Sequence, residues 1–248
     1  MLKVVQGNNV PKFFWYGSAG ESQALVMELL GSSLESIMKE YKKQFGLPTI
    51  MTLGYQMLNL IEYIHSKSLL HRDVKPDNFV LGVKEKKDLL YIIDFGLAKY
   101  YQDVKSKLHI PYRDNKSLIG TVRYASINAH IGIEQSRRSD IESLLYCLVY
   151  FAKGSLPWQN IKLSDEQEKH AKVMECKLAT PIELLCKGLP QEFTNALHHA
   201  RNLRFEDEPD YHYLRNSFLN LLPKKYFSYR LVFETAPTKE VLLNLHSL

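Results

Sequence analysis

Two polar clusters, one at each end of a short β-hairpin, constrain this chain more than any other feature. The first is His71-Arg72-Asp73-Val74-Lys75-Pro76-Asp77-Asn78 and the second is Asp94-Phe95-Gly96. Between them lie two strand-like pieces, 78–81 and 89–93, joined by the polar segment 84–88. Leu89-Leu90-Tyr91-Ile92-Ile93 shows no polar alternation, as befits a strand buried on both faces. Such a hairpin brings the start of its first strand beside the end of its second, so Asn78 and Asp94 are expected to converge. A carboxylate and a carboxamide oxygen suit a hard cation that keeps several waters, which points to Mg²⁺. Gly96 reads as the residue that lets the chain turn sharply after the ligand. Asp73 falls close by, placed to accept a proton from an attacking hydroxyl, and Lys75 adds a positive charge. A metal on phosphates, a cation on the transferring group and a carboxylate that orients the nucleophile are the parts phosphoryl transfer needs. Each cluster alone reads as a turn, since Asp, Pro and Asn favour turns. Eight specified positions in a strand–hairpin–strand context do not.

Around this hairpin the chain is mostly helical. Phe13-Phe14-Trp15-Tyr16 and 24–30 read as strands, and after Gly31 the pattern turns helical through Leu34, Ile37, Met38 and Tyr41. Pro48 opens a longer helix with an apolar stripe at Ile50, Leu53, Met57, Leu60 and Ile64. Residues 96–136 read as a loop too long to be an idle connection. From Asp140, the residues Ile141, Leu144, Leu145, Leu148, Val149 and Ala152 mark a helix that Gly154 stops. Further helices are expected over 165–175, 192–203 and 210–222.

Composition excludes several classes. Of 248 residues, 45% are hydrophobic and 24% charged, which is a globular balance and no disordered or collagenous chain. The longest apolar run, 144–152, is nine residues, against the roughly 18 that a spanning helix needs. No secretory signal is legible in MLKVVQGNN, and the last residues, 244–248, form no lipidation signal. Cys147, Cys176 and Cys186 form no C-x-x-C pair, so free thiols in a reducing compartment are expected, with Cys147 as a small buried side chain. The net charge of +5 is concentrated in 99–123, where six basic residues meet two acids. Only Tyr100, Tyr101 and Tyr112 interleave with that charge, which argues against a nucleic-acid surface.

These motifs resemble a eukaryotic protein kinase, and more narrowly the casein kinase 1 family. The general likeness lies in HRDVKPDN and DFG. The narrower one lies in MELLGSSLE (27–35), GTVRYASIN (120–128), EQSRRSDIESL (134–144), GSLPWQ (154–159), TPIELLCKGLP (180–190) and RFEDEPDYHYLR (204–215). Ser126-Ile127-Asn128 stands where most kinases have Ala-Pro-Glu. The resemblance covers nearly the whole chain and implies an α+β, kinase-like fold: an N-lobe remnant and hinge over 1–30 and a helical C-lobe over 31–248. It implies ATP and Mg²⁺ as cofactors and Ser or Thr as acceptor. Asp73 would be the base, Lys75 would contact the transferring phosphate, and Asn78 and Asp94 would hold the metal. The Glu28 and Leu30 backbones would bond adenine, with Met27 as gatekeeper and Val80 and Ile93 under the purine. Thr121 would bond near Asp73 and Lys75, and Asp140 would anchor the catalytic loop. Arg123 and Lys169 match the family's anion site, for substrates acidic or phosphorylated on the N-terminal side of the target. Here the basic run before that lysine is Ser164-Asp165-Glu166-Gln167-Glu168, which should weaken anion binding.

The twelve glycines include no pair two apart, so the chain has no G-x-G. Neither Lys3 nor Lys12 fits the family's strand lysine, and the paired glutamate is not found. About 40 to 60 N-terminal residues of a kinase lobe are expected to be missing, by typical element lengths. A start misplaced at an internal methionine and a genuinely shortened protein both account for that. The first reading is a monomeric, cytoplasmic or nuclear protein kinase domain, not membrane-bound, with weak or no turnover by itself. The second is an inactive module that binds acidic or phosphorylated partners through Arg123 and the basic loop.

Overall fold

The computed structural model describes residues 1–7, 9–40, 44–222 and 231. Tyr41 and the segment 244–248 lie outside the described residues.

The chain opens with an N-terminal coil that packs Val5 and Val10 into the core, then forms an antiparallel ribbon of β1 (Phe13–Ala19) and β2 (Ser22–Met27). Gly20 turns the ribbon with φ +64°. β2 stops at Met27, short of the expected Leu30, because the chain there leaves β1. Residues 31–33 cross to the hairpin instead, where Gly31 N donates to Leu81 O and Leu81 N to Ser32 O.

The helical body begins with α1 (Leu34–Glu40) and α2 (Leu47–Ser66). The stripe read from the sequence, Ile50 through Ile64, is buried throughout, at 5% exposure or less. Then come β3 (Leu69–Leu70), β4 (Phe79–Leu81), β5 (Leu90–Ile92) and β6 (Lys99–Tyr100). β4 pairs antiparallel with β5 in the expected hairpin, whose connection contains a 3-10 turn at Lys84–Lys86. β3 pairs with β6, two residues each, a strand pair too short to leave a sequence pattern.

Past the 96–126 segment follow α3 (Ile127–His130), α4 (Arg137–Lys153), α5 (Glu166–Ala179), α6 (Ile182–Leu185), α7 (Gln191–Asn202) and α8 (Tyr211–Leu219). Gly154 ends α4 with φ +76°, the left-handed conformation expected of a glycine stop. α4 is buried on every side from Ser139 to Phe151, so it is the central helix, with α2 and α7 against it. Its two buried carboxylates, Asp140 and Glu142, are both bonded. Cys147 is fully buried, and burial pushes its thiol well up. No helix among the described residues is long and apolar enough to cross a membrane.

Candidate active site

The hairpin and the loop before it do bring the two polar clusters together. Ile93 N donates to Asn78 O at 3.0 Å, which sets the residue before Asp94 beside Asn78. His71 ties the same junction from below. Its Nε2–H donates to Ile93 O at 3.0 Å, and its Nδ1 accepts from Asp73 N at 3.3 Å. Its ring also packs on Phe95, centroids 5.5 Å apart.

Asp140, at the first turn of α4, holds the loop from the interior. Its Oδ2 accepts from His71 N at 2.8 Å and its Oδ1 from Arg72 N at 2.9 Å. His65 Nε2–H also donates to Oδ2, at 2.9 Å, and Tyr211 hydroxyl donates to His65 Nδ1 at 2.6 Å. Helices α2, α4 and α8 thus meet at one buried polar junction. Arg72 sits at φ +66°, a left-handed conformation held by these bonds. Burial pushes the Asp140 carboxyl up, but His65 and the loop amides outweigh it and hold the group below the usual range.

Both Asp73 oxygens are occupied. Oδ1 accepts from Thr121 N at 2.9 Å and from Thr121 Oγ at 2.7 Å. Oδ2 accepts from Lys75 Nζ at 2.6 Å and from Asn78 Nδ2 at 3.3 Å. Lys75 Nζ also donates to Thr121 Oγ at 3.2 Å. Burial raises the Asp73 pKa, and the bonds from Lys75 and Thr121 lower it by more, so the carboxyl lies below its ordinary value. It is a carboxylate at neutral pH.

Asn78 Nδ2 donates to Asp73 O at 2.8 Å, which leaves its side-chain oxygen as the free end of the amide. Asp94 is exposed, and its Oδ1 accepts from Gly96 N at 3.1 Å. One turn expectation needs correction: the left-handed residue is Asp94 itself, at φ +63°, and not Gly96. Glycine at 96 serves close approach instead, since a Cβ there would lie 3.1 Å from Asp94 Oδ1. A carboxylate and an amide oxygen at adjacent positions are hard donors and fit a hydrated divalent cation. No cluster of three or more His, Cys, Asp or Glu suited to a metal occurs among the described residues.

The segment at the end of β2 runs along β4. Glu28 N donates to Lys12 O at 2.9 Å, and Ser33 bridges to Val80. The Glu28 carboxylate is tied down by Lys86 at 3.2 Å and by Lys12 N at 3.2 Å. Val80 is buried, Leu30 and Ile93 are half-buried, and Met27 is exposed.

Arg123 is half-buried, with its guanidinium on the Tyr124 ring. Lys169, on α5, pairs with Glu166 of its own helix at 3.0 Å. Among the described residues, no bond or ion pair joins Lys169 to Arg123. A second basic cluster does form. Arg72, Lys99 and Lys116 line a cavity of about 130 Å³ beside the 71–78 loop, with Glu134 in its wall. Glu134 takes Lys99 at 2.8 Å and Lys116 at 3.9 Å, which leaves the cavity net positive. Sequence reasoning marked these lysines only as part of a basic stretch. Gly120 sits at φ +99°, where a Cβ would come within 2.4 Å of Arg72 O, so glycine lets the chain pass close over the loop at Arg72.

A family model described as the protein kinase domain matches residues 1–232.

Proposed function

This chain belongs to the protein kinase domain family, and on that premise we propose that it is a serine/threonine kinase domain of the casein kinase 1 type. Its fold is α+β and kinase-like, mainly helical, with a small N-terminal sheet. The observation that carries the reading is the Asp73 carboxylate, ionised and clamped by Thr121 and Lys75 beside Asn78.

In this reading Asp73 accepts the proton of a substrate hydroxyl as that oxygen bonds to phosphorus and the nucleotide diphosphate leaves. Thr121 keeps the carboxylate from rotating. Lys75, already between Asp73 and Thr121, neutralises charge on the transferring group. Asn78 and Asp94 would hold Mg²⁺, which supplies charge neutralisation on the ATP phosphates. The Glu28 and Leu30 backbones bind adenine beside Met27, and Val80 and Ile93 pack under it. Arg123, Lys169 and the Arg72–Lys99–Lys116 cavity favour proteins with acidic or phosphorylated residues near the target. The pairing of Lys169 with Glu166 weakens its share.

Residues 1–248 by themselves turn over slowly in this reading, because the sequence has no G-x-G to cradle phosphates. A second reading is an inactive module for acidic or phosphorylated partners, favoured by the basic Arg72–Lys99–Lys116 cavity in a sequence with no G-x-G. Calorimetry of ADP·Mg²⁺ binding to residues 1–248, with and without Asp94→Ala, tests the first. Binding that the substitution weakens at least tenfold supports it. Phosphopeptide binding with no nucleotide binding moves the conclusion to the second.

A further inference from the structure

Lys177 is fully buried, and none of the groups assigned to phosphoryl transfer touches it. Its Nζ donates to Val122 O at 2.9 Å and to Ala125 O at 2.6 Å. It lies 5.1 Å from the ring centres of both Tyr146 and Trp158. Trp158 Nε1 donates to the neighbouring carbonyl, Arg123 O, at 2.8 Å. The carbonyls of residues 122, 123 and 125 are therefore each met by a side-chain donor from outside the turn. Inside the turn, Tyr124 N and Ala125 N both donate to Thr121 O at 2.9 Å. Its leading residue is Thr121, the double donor to Asp73.

We propose that Lys177 is a positioning residue for the transfer reaction: it pins the 121–125 turn from beneath, and through it sets Thr121 against Asp73 and Arg123 toward the substrate's anion. This rests on the kinase reading above. Packing does not call for a lysine here, because an apolar side chain of similar volume would fill the site without burying an amine. Burial pulls the Lys177 pKa down to about 7, with Glu142 acting against that and Arg201 with it. What the amine adds is N–H donors that reach two inward carbonyls at once: Ala125 O, and Val122 O, which also accepts from His130 Nε2 at 3.2 Å. The amine keeps those donors whether charged or neutral, so the positioning does not depend on protonation.

Lys177→Met and Lys177→Gln in the 1–248 chain test this, alone and combined with Arg123→Ala. The readouts are affinity for a phosphoserine peptide, affinity for ADP·Mg²⁺, and amide exchange over 118–126. Both single variants are expected to speed exchange in that segment and to weaken the phosphopeptide about tenfold, within the roughly 10²-fold that a misplacement of about 1 Å can cost. ADP·Mg²⁺ affinity should hold, and the phosphopeptide loss should not add to that of Arg123→Ala. If Lys177→Met does not fold, Lys177→Gln, which keeps a polar N–H group on a side chain one bond shorter, decides alone. Faster exchange with unchanged phosphopeptide affinity, losses that add to Arg123→Ala, or a parent chain that binds no phosphopeptide would each overturn the proposal. A parent that binds phosphopeptide but no nucleotide rejects the kinase reading and leaves the Arg123 arm to decide on Lys177.

Discussion

At Gly120 two requirements coincide in one residue. The backbone is left-handed at φ +99°, and a Cβ would fall 2.4 Å from Arg72 O and 3.7 Å from Asp73 Oδ1. Gly120→Ala therefore strains the backbone and pushes the Thr121 segment off the loop at Arg72 and Asp73. The expected cost is about 2 kcal/mol or more in denaturant unfolding, with nucleotide affinity less affected than turnover. His130 gives a residue-scale pH effect. Burial, with Lys177 nearby, pulls its pKa from 6.5 to about 4, against the opposing bond to Val122 O. The folded state thus binds this proton less readily than the unfolded state does. Stability from this group is complete above pH 6.5 and is lost as pH falls toward 4. The loss is on the order of 2–3 kcal/mol. His130→Gln keeps a donor for Val122 O without a proton to gain, so its urea midpoint should fall less between pH 7 and pH 5 than the parent's. The polar residues gathered at the candidate site were legible because their types and spacing are unusual together. Lys177 and His65 were not: nothing in a sequence marks a lysine as buried, or one histidine as the link between a tyrosine and an aspartate far along the chain.

Among the elements, the β1–β2 ribbon stands out as the least covered. Phe14, Trp15 and Tyr16 are 60%, 46% and 61% exposed, and Leu25, Val26 and Met27 lie between 41% and 48%. Neither strand carries a charge or a proline, the usual guards against edge-to-edge pairing. Exposed apolar edges of this kind drive self-association. Phe14→Thr with Tyr16→Thr is expected to lower the apparent mass in light scattering at high concentration, and to change unfolding stability by less than about 1 kcal/mol. A parent that stays monodisperse at the same concentration would contradict this. Long helices were readable in advance because their stripes span several turns, and α2 and α4 appear where the stripes put them. Helix α5 runs to Ala179, past the expected end at 175, since its last turn contributes buried Lys177 rather than an apolar repeat. The four-residue helices α3 and α6 and the two-residue strands β3 and β6 hold too few positions to show a period.

Over the whole molecule, the core and the site share a scaffold at Asp140. One buried carboxylate joins α2 through His65, α8 through Tyr211 beyond it, and the 71–78 loop through two backbone amides. Asp140→Asn keeps the shape but replaces one acceptor oxygen with a donor, leaving a loop N–H or His65 unpaired. The expected loss is about 2–3 kcal/mol and is best read by denaturant titration at pH 7. Asp73, Glu134 and Asp140 are all held below their ordinary pKa values. The stability they add is present above the ordinary carboxylate range and is lost as pH falls through their folded values. The acid unfolding curve of Asp140→Asn should accordingly be shallower than the parent's. The sequence alone determined the helical body, the hairpin and the identity of the polar residues, because periodicity, turn chemistry and residue type act over short spans. Only the tertiary structure decided which of those polar groups meet. The closure of Thr121 on Asp73, the gathering of Arg72, Lys99 and Lys116, and the burial of Lys177 beneath Val122 and Ala125 join positions tens of residues apart. Those contacts join separate elements of the fold, and packing of that kind has no local signature.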